Sequence, residues 1–417
     1  MHILLIHQVF VRPEDPGGTR HYDFARYLTE KGHRVTVLAG TRSYLTGEPL
    51  PADRRERPFP GLEIVRCGVA AGERRGFAWR TIGYFSFMFS SLWAGLRTAG
   101  VDVLWGTSPP IFQGWTAWLL ARLKGKRWVL EVRDLWPDFA VQVGALRSRR
   151  LIALSEWLER FLYRHSDQIV VNSPGFVEHL RGAGVGGKEI LIVPNGVDLE
   201  RARPISRGQG DVKATSARGG IPPGSLLREP HRLEGQFIAL YAGAHGMAND
   251  LEQLVHAAST LKQDPRITLV LLGDGPQKAA LQRQARAEGL KNLIFLPPVE
   301  EARVPALLME ADCGIAVLKA IPMFTTPYPN KVFDYMAAEL PVVVAIDGAI
   351  RQVVEEAGAG IYVTPGDGAE IGQAIQRLAD DRERAREMGR NGRRYVGVHF
   401  DRRELAGKME GILLSLG

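Results

Sequence analysis

Lys331 is the cation that this chain places best for holding a phosphate. It lies in Thr325-Thr326-Pro327-Tyr328-Pro329-Asn330-Lys331-Val332-Phe333-Asp334, where Pro329 suits the opening of a helix and Asn330 and Lys331 fall in its first turn. A diphosphate there meets free backbone donors and an ammonium together. Asp334 shares a helix face with Lys331 and can accept bonds from ribose hydroxyls; the alternative is a local Lys331–Asp334 ion pair. Glycines stand where a backbone must approach a ligand closely: Gly17 and Gly18 before the helical pattern at Arg20, Gly243 in Tyr241-Ala242-Gly243-Ala244-His245-Gly246, and Gly273 and Gly275 in Leu272-Gly273-Asp274-Gly275-Pro276. The last two groups each follow an apolar run, so together they point to one rim holding a nucleotide. No long glycine loop runs into Lys-Ser or Lys-Thr, which argues against an ATPase.

A second constellation is Arg133-Asp134-Leu135-Trp136-Pro137-Asp138, just past an apolar run that ends in Glu131. Glu131 and Asp134 can orient an acceptor there, or Asp134 can serve as a structural partner of Arg133. His7, His21 and His245 fall near expected strand ends or first turns, where a histidine either touches ligand or is satisfied internally. No His, Cys and Asp spacing suggests zinc. Cys67 and Cys313 are far apart and set in apolar surroundings, which fits buried thiols in a reducing compartment.

The elements that must position these residues alternate. Short apolar runs at 3–9, 34–39, 62–66, 101–105, 127–131, 168–172 and 189–193 are separated by helical patterns such as 20–31, 111–123 and 150–164. After Pro194-Asn195-Gly196-Val197-Asp198 the pattern breaks, and 199–234 is rich in Gly, Pro, Arg and Ser without periodicity. Alternation restarts at 237–241, 267–272, 293–296, 313–317, 342–345 and 360–363. This reads as an α/β chain of two doubly wound Rossmann-like domains facing a deep cleft, with ligands beyond the carboxyl ends of the strands. The expected organisation is an N-terminal acceptor domain over 1–197 and a C-terminal nucleotide-sugar domain over 198–395 that includes the excursion 199–234. A final helix, 396–417, returns to the first domain.

The chain has 417 residues, 45% hydrophobic and 24% charged, with a net charge of +7. That length exceeds a single core, and the basic balance favours anionic neighbours. The N-terminus reads as a first strand and not as a signal peptide, so a cytoplasmic protein is expected. Between Arg80 and Arg97 lies an uncharged aromatic stretch, too short to span a bilayer, preceded by Arg74 and Arg75 with Phe77 and Trp79. The segment 74–97 is expected to meet an anionic membrane surface, the alternative being a helix buried over the first sheet. The Arg-rich stretch 201–232 has no interleaved aromatics, so nucleic acid is not an expected partner.

The ordered set of Gly17-Gly18, Arg133 to Asp138, Pro194-Asn195-Gly196-Val197-Asp198, Tyr241-Ala242-Gly243, Gly273-Asp274-Gly275-Pro276 and Pro329-Asn330-Lys331 through Pro341 resembles the family-4 glycosyltransferases of GT-B type. More narrowly, it resembles the branch of colanic-acid and O-antigen enzymes that transfer an N-acetylated, often deoxygenated hexose such as N-acetyl-L-fucosamine. The resemblance implies a UDP-sugar donor, retention of anomeric configuration and no required metal. It also implies an acceptor carried on polyprenyl diphosphate and a protein held peripherally at the inner face of the plasma membrane. By position, Gly18 approaches the donor phosphate or the reacting sugar, Asp334 replaces the glutamate that binds ribose, and Pro298 and Val299 border the base. Most relatives hold the diphosphate with Arg and Lys after the first C-domain strand. Here that stretch is Gly243-Ala244-His245-Gly246-Met247-Ala248, leaving Lys331 as the replacement cation with His245 as a helper. Many relatives also carry a histidine where this chain has Arg133-Asp134. A sugar-nucleotide epimerase of the same architecture is the competing enzyme class.

Overall fold

The computed structural model describes residues 1–15, 17–43, 49–50, 54–70, 77–142, 144, 146–202 and 226–417, with 77–80 as backbone only. Two compact units divide the chain: Met1–Asn195 with Arg402–Gly417, and Gly196–Asp401. Each is a mainly parallel α/β unit, the pair of Rossmann-like domains that defines the GT-B type.

The first unit holds β1 (His2–Ile6), β2 (Arg34–Gly40), β3 (Arg55–Glu56), β4 (Leu62–Cys67), β5 (Val103–Ser108), β6 (Arg127–Val132), β7 (Gln168–Val171) and β8 (Ile190–Ile192). Their order is β3-β4-β2-β1-β5-β6-β7-β8, parallel except for β3 against β4. The chain begins mid-sheet, winds outward through β2 and β4, then returns to the other side at β5. The gap between β1 and β5 is therefore the switch point where such sheets bind ligands.

Every residue of β1 is buried because both faces are covered, and alternation sorts its side chains. Leu4 and Ile6 pack with helices Phe77–Arg97, Ile111–Lys124 and Arg149–His165. Ile3 and Leu5 pack with helices Arg20–Glu30 and Arg402–Leu414. Two strand ends differ from the sequence expectation. β1 stops at Ile6 because residues 8 and 9 turn away. β5 runs on to Ser108 because Gly106, Thr107 and Ser108 pair with Leu130, Glu131 and Val132 of β6.

The second unit holds β9 (Phe237–Ala242), β10 (Ile267–Leu272), β11 (Leu293–Leu296), β12 (Cys313–Val317), β13 (Val342–Ala345) and β14 (Gly360–Tyr362). The order β11-β10-β9-β12-β13-β14 is again doubly wound, with its switch point between β9 and β12.

The unit boundaries fall at Asn195/Gly196 and Asp401/Arg402, not at 197/198 and 395/396. The Val197 N–H bonds the Phe400 carbonyl at 2.9 Å, and Val396 and Phe400 are core residues of the second unit, so both segments stay with it. The last helix, Arg402–Leu414, buries Leu405, Ala406, Met409 and Leu413 in the first unit. There Arg402 pairs with Asp23 at 2.6 Å.

Of the excursion 199–234, residues 203–225 lie outside the described residues; Leu226, Leu227 and Arg228 donate their N–H groups to the Glu310 carboxylate at 3.1, 2.8 and 3.0 Å. Both cysteines are buried, and burial pushes the Cys67 thiol up to about 12.

Candidate functional site

Three loops at the carboxyl ends of β9, β10 and β11 lock into one rim of the second unit. The Gly243 N–H bonds Leu272 O at 3.0 Å, the His245 N–H bonds Asp274 O at 2.8 Å, and the Gln277 N–H bonds His245 O at 3.0 Å. Lys278 Nζ ties the loops from beneath, donating to Gly273 O at 2.6 Å and Leu296 O at 2.7 Å. Glycine is required here for two reasons. Gly273 and Gly275 have φ of 140° and 158°, and a Cβ on either would overlap the backbone carbonyl of Gly243 or His245. Pro298 is exposed and Val299 half-buried just beyond β11, on the loop that would border a base.

Helix Asn330–Ala337 opens directly after Pro329, which is its flanking residue and not its first turn. Val332, Phe333, Tyr335 and Met336 are buried, so Asn330, Lys331 and Asp334 fall on the outer side. The Tyr335 hydroxyl accepts the Ala242 N–H at 2.8 Å, pinning the helix to the end of β9.

Lys331 does not fold back on Asp334. Its Nζ lies 3.9 Å from the centre of the Tyr241 ring. Tyr241 belongs to the core cluster on one side of the sheet and the helix to the other, so this contact crosses the end of β9 at the switch point. Burial lowers the Lys331 ammonium to about 7. Among the described residues no carboxylate pairs with it. An ammonium kept partly from water over an aromatic face and without a counter-charge is suited to an anion.

His245 lies inside the rim. It is fully buried, and neither ring nitrogen has a hydrogen-bond partner. Burial, with Lys278 and Lys331 opposed by Asp274, lowers it to about 4. It is thus a neutral ring inside the rim. Its backbone shapes the loop, and its side chain is not presented as a helper cation.

In the first unit, Glu131 likewise lies inside. Its carboxylate accepts from Arg20 Nη1, from His21 Nε2 at 2.8 Å and from Trp105 Nε1 at 2.8 Å, and it is fully buried. Burial opposes its ionisation, but Arg20 and His21 overcome that and hold it below the usual carboxylate range. Burial lowers His21 to about 4, so the neutral ring donates through Nε2. Arg20 also donates to Val193 O at 3.0 Å. Glu131 is therefore a positioning residue that fixes the first turn of helix Arg20–Glu30, and with it the Gly17-Gly18 turn.

Gly18 is exposed and Gly17 half-buried with φ of 134°; Pro16 of that motif lies outside the described residues. His7 is buried, with Nδ1 bonded to Thr107 Oγ1 at 2.9 Å.

Asp134 differs from Glu131. It is half-buried beyond the end of β6, and burial raises it to about 6 against the Leu135 N–H and Arg133. A carboxyl at that value is poised to exchange a proton near neutral pH.

The structure therefore gathers Gly243, Gly273, Gly275 and Lys331 at one rim, with Asn330 and Asp334 along the same helix. Sequence reasoning missed Arg20 and Trp105 as the holders of Glu131 and Tyr241 as the seat of Lys331. Arg20 stands in the first turn after the paired glycines, a place where a basic residue facing an anion is a readable signal. Among the described residues no group of three or more His, Cys, Asp or Glu could hold a metal ion.

Two protein families match the chain: the glycosyl transferase 4-like domain over residues 17–196 and the glycosyl transferases group 1 domain over 226–395. The chain is 26% identical over 325 residues to the "Putative colanic acid biosynthesis glycosyl transferase WcaI" of Escherichia coli (strain K12), covering 76% of each chain. Among solved structures it resembles the sucrose-phosphate synthase of Thermosynechococcus elongatus, with a TM-score of 0.75 at 20% identity over 100% of this chain and 98% of that one. It also resembles HepE of Anabaena in complex with UDP-glucose, with a TM-score of 0.70 at 16% identity over 100% of both chains. The fold and the paired domains define a two-domain sugar-transfer enzyme. The chain belongs to the glycosyltransferases, with a 4-like domain followed by a group 1 domain.

Proposed function

We propose that this glycosyltransferase moves an N-acetylated, often deoxygenated hexose from a UDP-sugar to a polyprenyl-diphosphate-linked saccharide, in the synthesis of a bacterial cell-surface polysaccharide such as an O-antigen. The observation that carries the donor half is the Lys331 ammonium over Tyr241, with no carboxylate pairing it among the described residues, beside Gly243 and in the first turn of helix Asn330–Ala337. The colanic-acid relative supports a role in polysaccharide synthesis, and the UDP-glucose complex of a similar fold supports the choice of nucleotide.

As the glycosidic bond breaks, negative charge grows on the departing diphosphate. Lys331 and the first amides of its helix stabilise that charge more in the transition state than in the ground state. These groups supply the positive charge, so the reading calls for no metal. Asp334 accepts from ribose hydroxyls, and Pro298 and Val299 border the base. The acceptor hydroxyl attacks from the face that the diphosphate leaves, with retention, and the departing phosphate takes the proton. Asp134 orients the acceptor. The two-carboxylate scheme of hydrolases has no place in this account.

Calorimetry with UDP, GDP, UDP-N-acetylhexosamines, GDP-hexoses and a short DNA duplex tests the reading. UDP and its sugars are expected to bind and DNA is not. Preference for GDP overturns the donor, and binding of DNA without nucleotide overturns the whole reading.

A further inference from the structure

The segment from Arg133 to Asp138 carries Asp134, yet little regular structure holds it. At its start the Arg133 N–H bonds Ser108 O at 2.9 Å, and in its middle Leu135 is buried in the core of the first unit. Trp136 stands edge-on to Phe112 at 6.1 Å, and Phe112 meets Phe85 of helix Phe77–Arg97, whose Phe87 packs in the same core. Ahead of that helix Arg74 and Arg75 lie outside the described residues, as do the side chains of Phe77, Trp79 and Arg80. At its far end the segment runs into helix Asp138–Gln142, which has five residues. A helix much shorter than about 12 residues does not hold itself, so side-chain anchors must place it.

His179 supplies such an anchor. It sits on helix Phe176–Gly182, whose Phe176 and Leu180 are buried in the same core, and its ring stands between carboxylates from two other helices. Nδ1 lies 3.5 Å from Asp138 Oδ2, and Nε2 lies 3.3 Å from Glu159 Oε1 on helix Arg149–His165. Glu159 also accepts the Tyr163 hydroxyl at 2.7 Å, one turn along its own helix. Glu178 and Arg181, the charged neighbours on the histidine's own helix, are exposed.

The two contacts are unequal. The Glu159 side chain is 5% exposed and tied to Tyr163, which burial holds protonated well above its ordinary range. Asp138 is 38% exposed and can turn to water. An imidazolium has two N–H groups and serves both carboxylates, whereas a neutral ring has one and serves one. The bond to Glu159 raises His179 above its ordinary value of 6.5 against the effect of burial, with the charge of Asp138 in support. The stabilisation is therefore fully present below pH about 6.5 and is lost as pH rises through the higher folded value. When the proton leaves, Glu159 keeps its hydrogen bond and Asp138 is the partner released.

We propose that His179 is a positioning residue for the acceptor side of the reaction: with its proton it clamps Asp138 to Glu159 and so fixes the segment that carries Asp134, and without its proton the clamp opens. The inference rests on the reading that Asp134 orients the acceptor. It adds an alkaline limit to the acid limit that Asp134 sets, so kcat/KM for the acceptor is bell-shaped in pH.

Hydrogen exchange of the full chain, read by mass spectrometry on peptides spanning 133–142, tests the clamp without any ligand. After correction for the intrinsic pH dependence of exchange, protection of 138–142 should fall about tenfold between about pH 6 and about pH 8.5. His179→Gln and Asp138→Asn should show the low protection at both values, and His179→Lys, a cation at both, the high protection at both. Transfer is then followed by UDP release from a UDP-N-acetylhexosamine with a polyprenyl-diphosphate-linked saccharide. At about pH 6.5, His179→Gln should raise the acceptor KM about tenfold and leave UDP affinity unchanged, while His179→Lys should flatten the alkaline limb of the wild type. Asp138→Asn, at a partly exposed position, carries the same test should His179→Gln unfold. The proposal is overturned if exchange at 138–142 in the wild type is independent of pH, if the acceptor KM does not move, or if UDP affinity falls along with it. A wild type that binds no UDP refutes the donor reading instead, and the exchange measurement still decides whether His179 holds the segment.

Discussion

Replacing Lys331 with methionine should stabilise the ligand-free protein and disable it. Burial moves the ammonium from its ordinary value of 10.5 to about 7. At 1.36 kcal/mol per pH unit this amounts to about 5 kcal/mol for complete burial, and to about 2–3 kcal/mol for a side chain that keeps some water. Because the folded value lies below the unfolded one, the cost is fully present below pH about 7 and is relieved as pH rises towards 10.5. At pH about 6, Lys331→Met should therefore raise the midpoint of the transition that unfolds Gly196–Asp401. The same substitution removes the charge that meets the diphosphate. Loss of one charge-assisted contact, about 1.5–3 kcal/mol, predicts UDP binding weaker by about 10- to 150-fold.

A sharper signature lies in protons. At pH about 8 the free lysine is mostly neutral, and a bound diphosphate restores its charge, so about one proton should be taken up per UDP. Calorimetry in buffers of different ionisation enthalpy reads this directly. Equal UDP affinity in Lys331→Met, or no proton uptake by the wild type, would refute the placement of the diphosphate at Lys331.

Glu131→Gln leaves Arg20 buried without its counter-charge and should destabilise the first unit by about 3–5 kcal/mol, measured by denaturant unfolding. Asp134 sits at about 6 through burial, so kcat/KM should rise through that pH if its carboxylate orients the acceptor, and Asp134→Asn should flatten this limb. An unchanged limb in Asp134→Asn would place the titration elsewhere. Gly273→Ala should abolish UDP binding and lower the melting temperature, because its Cβ overlaps Gly243 O at a φ of 140°; Gly246→Ala, with only Asn249 at 3.6 Å, should do neither.

Two strands are legible in the sequence to the residue, because a glycine or proline ends the apolar run. β10 stops at Leu272 before Gly273, and β11 at Leu296 before Pro297. β5 was placed too early because Gly106-Thr107-Ser108 carries no strand signal of its own; pairing with β6 carries it onward. The glycines and Lys331 could be read as candidates for one rim because backbone clearance and a cation in a helix's first turn are local features. The burial of Glu131 could not, since Arg20, which holds it, is 111 residues away. A glutamate closing an apolar run reads as exposed unless that partner is known. For His245 the sequence leaves open a ligand contact or an internal place, because the contacts that bury its ring, with the carbonyl of Asp274 and with Gly275, come from the next loop. Helix Phe77–Arg97 hid its two faces because both are apolar, leaving no polar period to show which one meets the sheet.

The central claim is acceptor-dependent sugar transfer from a UDP-sugar. It is tested most directly by incubating the purified chain with single UDP-N-acetylhexosamines and a synthetic polyprenyl-diphosphate-linked saccharide, then following the lipid product by mass spectrometry and the new anomeric centre by NMR. The account predicts one added N-acetylhexose, release of UDP in equal amount, and an anomeric configuration that matches the donor. Epimerised UDP-sugar with an unaltered lipid, or a product of inverted configuration, would contradict it.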